Sequence, residues 1–324
     1  MRLSESIRRK VLDIGSGWVV NRFKIKKRRD TLFFEDILAE YLKICETAGH
    51  EDEIIEIGQE WMILFFRQLL PSNMKKIPPT LLLNSIMRKI WINLGLMDDF
   101  EIRVNKEIVN IVSKNEGVTR IVGKNSTMVG FYIGILNALY EKNSKLISSN
   151  QNKKNCKYTF KLLDEWSEIK GKDKEIYNRL NKLPETRGTN LRESIEKGIL
   201  KVKDGNSIYF REKRICPTEN TVFHLIGNKG IMMGMVPEIS YKYFSEIFPN
   251  SSDPTRMFRT LRILLESMGW GVVKIVVGKR NKIIVNIDHP PYGLQTGEDN
   301  WKFLGNVILG YIQMIDKKYE IKSF

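Results

Sequence analysis

The stretch LSESIRRKVL at residues 3–12 returns as LRESIEKGIL at residues 191–200, with the shared residues at one constant separation. The shared residues are Leu3, Glu5, Ser6, Ile7 and Leu12 in the first stretch and Leu191, Glu193, Ser194, Ile195 and Leu200 in the second. Each copy of an internal repeat is expected to form the same unit of structure. These two stretches therefore predict a chain that folds as two related units.

Four more pairs of segments resemble each other, and they follow in the same order along the chain. The pairs are 17–34 with 205–224, 57–71 with 235–249, 85–104 with 259–277, and 130–140 with 306–316. Short apolar patterns recur by chance, but a shared order of several pairs indicates tandem duplication. The prediction is a first repeat at 1–165, a charged connector at 166–189 and a second repeat at 190–324, each closing its own core.

Each repeat is predicted to be α+β, with helices packed on an antiparallel sheet. In the second repeat, apolar and polar residues alternate on both sides of Asp204–Gly205, a dipeptide typical of tight hairpin turns. A second pair of alternating stretches turns near 278–281, which predicts another hairpin. The polar run SSNQNKKNCKY at 148–158 is expected to be a loop or a hairpin tip.

Helices are predicted between these strands. Apolar residues at helical spacing fill 33–49, and the pattern stops at Gly49. A later helix is expected to begin with Asp253 as its cap and Pro254 in its first turn, and to end at Gly269. The chain is then expected to close with an apolar helix and a short terminal strand.

Composition limits the classes of protein to which the chain can belong. The 324 residues suffice for about two domains, and 53 Lys and Arg against 38 Asp and Glu give a net charge of +15. Such an excess favours an anionic partner. Cys45, Cys156 and Cys216 lie far apart, so we expect no disulfide framework and a cytoplasmic location. No apolar run reaches the ~18 residues of a membrane span, so none is expected.

Four features of the second repeat occur together: the Asp204–Gly205 turn, the basic pair Lys213–Arg214, LESMGWG at 265–271 and LGNVILGYIQ at 304–313. In this order they resemble the vinyl-4-reductase (4-vinyl reductase) domain family, whose fold is shared with subunits of the eukaryotic vesicle-tethering particle TRAPP. The resemblance covers most of 190–324 and, in part, 1–147. It implies a domain that binds small molecules or assembles with partners, is often dimeric and is frequently attached to transcription regulators. Several members hold a metal at clustered cysteines, which this chain lacks.

Aromatic and methionine side chains in the predicted buried helices offer a wall for an apolar pocket. The candidates are Trp61, Phe65, Phe66, His224, Met233, Tyr243 and Phe244. The same spacing is also typical of a hydrophobic core, and a histidine such as His224 in an apolar pattern is typical of one bonded to backbone. A ligand-binding function predicts a pocket of about 300–1,000 Å³.

Basic residues cluster near the start of the chain. Residues 1–30 contain ten Lys and Arg against three acidic residues. If FKIKKRR at 23–29 forms one strand, Lys24 and Lys26 share a face. Such a stripe binds phosphates by releasing counterions, without reading sequence. The nucleic-acid candidates are Lys24, Lys26, Lys27, Arg28 and Arg29.

Two functions are therefore open. The favoured one is non-enzymatic binding of a small apolar molecule or a protein partner, with a regulatory readout and with the two repeats paired as an intramolecular pseudo-dimer. The alternative is a nucleic-acid-associated protein that contacts the phosphate backbone through its basic N-terminal segment. No phosphate-binding loop or hydrolase motif occurs, so no catalytic residue, cofactor or metal is predicted. Further self-association is left open.

Overall fold

The computed structural model describes residues 12–15, 18–23, 26–69, 78–165, 188–204, 207–249, 253–279, 282–293 and 299–323. Within these ranges, only the backbone is described for residues up to 29 and for 67–69.

In the first repeat, three strands lead into helices, and a hairpin, a long helix and a second hairpin follow. The elements are β1 (Leu12–Gly15), β2 (Trp18–Phe23), β3 (Lys26–Phe34), α1 (Glu35–Thr47), α2 (Glu51–Leu69), α3 (Pro79–Ile86) with a π-helical turn (Met87–Ile92), β4 (Asp99–Asn105), β5 (Ile108–Lys114), α4 (Thr119–Val122), α5 (Ser126–Tyr140), β6 (Ser144–Gln151) and β7 (Asn155–Leu162).

The second repeat follows the same succession of strands, helices, hairpin and final helix. Its elements are α6 (Leu191–Glu196), β8 (Lys201–Lys203), β9 (Ser207–Phe210), β10 (Lys213–Thr218), α7 (Thr221–Lys229), a 3-10 turn (Met233–Met235), α8 (Val236–Ile247), α9 (Pro254–Ser267), β11 (Val272–Val277), β12 (Ile283–Asp288) and α10 (Lys302–Ile312). The predicted α+β fold in two tandem repeats is confirmed. The predicted connector at 166–189 lies almost wholly outside the described residues.

The two repeats meet in one antiparallel sheet. Its strand order is β1-β2-β3-β10-β9-β8, so each repeat contributes three strands and the join lies between β3 and β10. Phe33 stands opposite Cys216 across this join. Phe33 also packs against Phe223, with ring centroids 4.5 Å apart, and against Trp270 at 6.1 Å. The expectation that each repeat closes its own core is wrong, because β3 carries its apolar side chains into the core of the second repeat.

Both repeats end a helix at a glycine with the same hydrogen bonds. Gly95 and Gly269 have φ angles of 72° and 84°, which glycine adopts without steric cost. Each glycine amide donates to the carbonyl three residues earlier, and the next amide donates to the carbonyl five residues earlier. This Schellman motif satisfies the last carbonyls of a helix. The predicted helix start is also confirmed, since the Asp253 carboxylate accepts from the amides of Thr255 and Arg256.

The repeats differ after their final helix. The polar run at 148–158 forms the β6–β7 hairpin, and β7 adds to the edge of β5 in a four-stranded sheet of order β4-β5-β7-β6. The corresponding β11–β12 hairpin has two strands within the described ranges. The predicted terminal strand is not formed: residues 319–323 pair with no described strand, and the Tyr319 amide donates instead to the Asp316 carbonyl.

The basic stretch 23–29 is divided between two strands. Phe23 pairs with Lys26, so these residues lie at the adjoining ends of β2 and β3. The expectation of one continuous strand is therefore wrong. Lys24 lies outside the described residues, and only the backbone is described for Lys26, Lys27, Arg28 and Arg29.

Candidate functional site

A cavity of about 140 Å³ lies between the two repeats. Its wall includes Leu42, Trp61, Phe65, Trp91 and Met128 from the first repeat, and Cys216, Val222 and Ile226 from the second. Neither repeat provides the wall alone. The cavity is therefore a product of the pairing between β3 and β10, which brings the helices of both repeats together.

Three helices contribute to the apolar wall, each with two residues one helical turn apart. The pairs are Leu38 and Leu42 on α1, Trp61 and Phe65 on α2, and Val222 and Ile226 on α7. Residues four apart lie on one face of a helix. The amphipathic pattern of each helix thus places an apolar surface against the cavity.

A buried carboxylate belongs to the same wall. Glu219 Oε2 accepts a hydrogen bond from Trp61 Nε1 at 2.8 Å, and Oε1 accepts from the backbone amide and hydroxyl of Thr221 at 2.8 and 2.9 Å. Glu219 is only 6% exposed. These bonds stabilise the carboxylate and tie α2 of the first repeat to the start of α7 of the second.

Two other polar atoms at the wall have no hydrogen-bond partner among the described residues. They are Asn125 Oδ1 and Thr127 Oγ1, and both side chains are more than nine-tenths buried. Buried polar atoms are nearly always paired, and unpaired ones need an explanation such as an absent ligand or water. Because no Lys, Arg or His lies among the described lining residues, the polar part of the wall offers hydrogen-bond acceptors rather than cations.

Cys216 lines the cavity as an inert thiol. Its burial, with the nearby Glu35 carboxylate as the next largest cause, raises the pKa of the thiol to about 12. A thiol with that pKa stays protonated at neutral pH, and the protonated form is not nucleophilic. Cys216 therefore contributes to the cavity as a small apolar side chain.

A buried ion cluster lies directly behind the wall and joins the repeats. Glu35 Oε1 accepts from Arg120 Nη2 at 2.6 Å and from the backbone amide of Val118, a lining residue, at 2.8 Å. Glu35 Oε2 lies 3.4 Å from Nε of Arg214 on β10. Both guanidinium groups also donate to the Gly95 carbonyl. One carboxylate of the first repeat thus holds one arginine from each repeat.

The predicted pocket residues are divided between the cavity and the core. Trp61 and Phe65 line the cavity, whereas Phe66, His224, Met233, Tyr243 and Phe244 do not. Tyr243 and Phe244 pack against Phe34 of the first repeat, with ring centroids 5.4 and 5.0 Å away. His224 is buried, and its Nδ1 accepts from the Asn300 amide at 3.0 Å while Nε2 lies 3.3 Å from the Pro291 carbonyl.

Asn125, Thr127 and Glu219 are among the wall residues that the sequence analysis did not select. Asn125 directly precedes α5, and Glu219 lies two residues before the start of α7. Polar residues at such positions usually cap a helix. Their position is thus a signal for a helix start. Nothing in the local sequence shows that the two helix starts face one cavity.

Within the part of the chain that the structure describes, no group of three or more His, Cys, Asp or Glu could hold a metal ion. No described helix is both long enough and apolar enough to cross a membrane. Comparison of the chain with family models, curated proteins and solved structures finds no match, and the resemblance to the vinyl-4-reductase family stays a prediction from the sequence.

Proposed function

We propose that the chain binds, without chemical change, a small apolar molecule that carries one hydrogen-bond donor, in the cavity between its repeats. The observation that supports this function most directly is the pair of unpartnered polar atoms, Asn125 Oδ1 and Thr127 Oγ1, in a largely apolar wall. A ligand hydroxyl that donates to Asn125 Oδ1 and accepts from the Thr127 hydroxyl would remove the cost of burying these unpaired polar atoms, roughly 1–3 kcal/mol each.

The size of the cavity sets the size of the ligand. A volume of about 140 Å³ is below the predicted range for a drug-sized ligand. An engineered apolar cavity of about 150 Å³ holds benzene. The ligand in this proposal is therefore a single-ring or short-chain molecule with one polar end.

Ligand binding in this cavity would also stabilise the pairing of the two repeats. An occupant contacts α1 and α2 of the first repeat and α7 of the second, because all three supply the wall. A ligand that binds only the assembled cavity stabilises the assembled state by mass action. This linkage supports a regulatory role, in which the ligand changes how firmly the two repeats hold together.

A matched pair of ligands tests the proposal. We expect benzyl alcohol to bind about 3–10-fold more tightly than ethylbenzene, which has the same shape without the donor, because one hydrogen bond is worth about 0.5–1.5 kcal/mol. Thr127→Val should reduce this preference, and Thr260→Val, on the distant helix α9, should leave it intact. Isothermal titration calorimetry measures the affinity of both compounds for the unmodified protein and for each of the two variants.

A cavity-filling variant provides a second test of ligand binding in this cavity. Val222→Phe places a ring in the cavity and should abolish binding of both compounds, whereas Val112→Phe, on a strand outside the cavity wall, should not. Thermal unfolding with and without ligand shows that each variant is folded. If neither compound binds the unmodified protein, or if Val222→Phe binds as well as the unmodified protein does, the proposal is wrong.

We propose nucleic-acid contact as a second function, supported by the register of β2 and β3. Arg22 stands directly opposite Lys27, and Asn21 and Val20 stand opposite Arg28 and Arg29. Like charges directly opposite each other destabilise a strand pair. A phosphate backbone beside β3 would offset this repulsion.

Salt dependence tests the second function. We expect Lys26, Lys27, Arg28 and Arg29 changed together to Gln to weaken DNA binding and to lower the slope of log affinity against log salt by up to about 3–4 units. The control removes four charges elsewhere, by changing Lys153, Lys154, Lys157 and Lys161 of the β6–β7 hairpin to Gln. Equal loss in both variants, measured by fluorescence anisotropy at several salt concentrations, excludes a specific role for the basic strand.

A further inference from the structure

The internal repeat shows that one strand edge is paired in the first repeat and, among the described residues, unpaired in the second. The hairpins β4–β5 and β11–β12 both begin three or four residues after a Schellman glycine, Gly95 or Gly269. β5 therefore corresponds to β12. In the first repeat β7 pairs with the outer edge of β5, but no strand of the described ranges pairs with the outer edge of β12.

Burial along the two strands supports this correspondence. Val109, Ile111 and Ser113 of β5 are fully buried at alternate positions. The residues at the same places in β12 are Ile283, Val285 and Ile287, which alternate in the same phase but are only partly buried. The second repeat thus has the same apolar face, and none of its described strands flanks that face as β7 does in the first repeat.

Large apolar side chains are exposed on both faces of this hairpin. Val276 and Ile284, which stand opposite each other on the other face, are each 39% exposed, and Val277, which stands opposite Ile283, is 58% exposed. An open edge next to exposed apolar side chains is a template for pairing with another strand. Soluble proteins normally protect such an edge, so its occupant has to be identified.

We infer that β12 pairs, antiparallel, with β12 of a second copy of this chain, with Val285 at the centre of the pairing. In this register Lys282 of one copy stands opposite Asp288 of the other, and Ile283 opposite Ile287. The charged ends are complementary, and both side chains are exposed. The two hairpins together form a four-stranded sheet, the strand number that the corresponding sheet has in the first repeat.

The sequence of β12 favours a second copy over an unrelated strand because it is complementary to itself. Lys282 and Asp288 lie six residues apart, about 20 Å in an extended strand, so they cannot pair within one chain. Opposite charges directly across a strand pair stabilise it, and the partly buried apolar residues continue into the partner's apolar face. The dimer gains two such ion pairs from a single two-fold contact.

Charge reversal tests this pairing. Lys282→Asp gives each chain acidic residues at both ends of β12, and Asp288→Lys gives basic residues at both ends, so each variant should pair with itself about tenfold more weakly. An equimolar mixture of the two variants restores opposite charges at both ends and should recover the affinity. Lys157→Asp, the same charge change on β7, is the control.

Sedimentation equilibrium of the full chain at several concentrations gives the dimer dissociation constants. We expect the unmodified protein to dimerise as its concentration rises, each charge variant to dimerise less, and their mixture to dimerise as the unmodified protein does. A monomer at every concentration overturns the inference. So does a dimer that is equally strong in both variants, which would lie at another surface, or a mixture that does not recover.

Discussion

Replacement of Glu35 by alanine is expected to lower the free energy of unfolding by about 3–5 kcal/mol, the usual cost of removing one partner from a buried ion pair. Glu35 is fully buried, while the side chains of Arg120 and Arg214 are 10% and 19% exposed. Without the carboxylate, two guanidinium groups remain close together, largely desolvated and of like charge. The cost therefore includes both their repulsion and their lost hydrogen bonds.

Glu40→Ala on the same helix is the matched control. The Glu40 side chain is 50% exposed, and its carboxylate lies 3.8 Å from Nζ of Lys43. Exposed ion pairs of this kind contribute about 0–1 kcal/mol, so the same substitution should change stability by less than that. Urea denaturation followed by circular dichroism measures both variants. Similar losses in the two would show that the Glu35 cluster does not stabilise the fold.

The local structure of this chain could be predicted because each element carries its own signal. Gly49 and Gly269 end helices since they adopt a φ that other residues resist. Asp253 starts a helix because its carboxylate satisfies amides that have no helical partner. The β11–β12 hairpin shows the alternation of apolar and polar residues that a half-buried strand needs. All of these depend on neighbours in sequence.

The contact between the repeats could not be predicted in the same way. Phe33 and Phe34 are apolar strand residues, and nothing in their residue type indicates whether they pack in the core of the first repeat or of the second. The pairing of β3 with β10 joins segments far apart in sequence, with no turn between them to set the register. The predicted terminal strand depended on a distant partner in the same way, because alternation alone does not determine which strand a segment pairs with.

The cavity depended on that unpredicted contact. Tyr243 and Phe244 were candidates for its wall because aromatic residues on a buried helix suit either a pocket or a core. In the structure Phe34, from the other repeat, packs against both. Cys216 reaches the wall because it lies on β10, next to the join. Selecting wall residues therefore required knowing which repeat each side chain enters.

A helix crossing that recurs in both repeats yields the second large prediction. In the first repeat, a Cβ added at Gly134 would lie 2.3 Å from the backbone oxygen of Gln59, where α5 crosses α2. In the second, a Cβ at Gly310 would lie 2.2 Å from the backbone oxygen of Pro237, where α10 crosses α8. The alignment of the repeats pairs Gly134 with Gly310 and Gln59 with Pro237. The same glycine thus permits the same backbone approach twice.

Gly134→Ala and Gly310→Ala are each expected to lower the free energy of unfolding by about 3 kcal/mol, at the upper end of the cost of overpacking, because the obstacle is backbone rather than a movable side chain. Gly234→Ala is the control, since nothing lies within 4 Å of a Cβ at that position, and it should change stability by less than about 0.5 kcal/mol. Chemical denaturation of the three variants gives the comparison. Losses of similar size at Gly134 and Gly310 mean that both repeats depend on one crossing geometry. Tolerance at one of the two glycines would show that the two crossings differ in how closely their backbones approach.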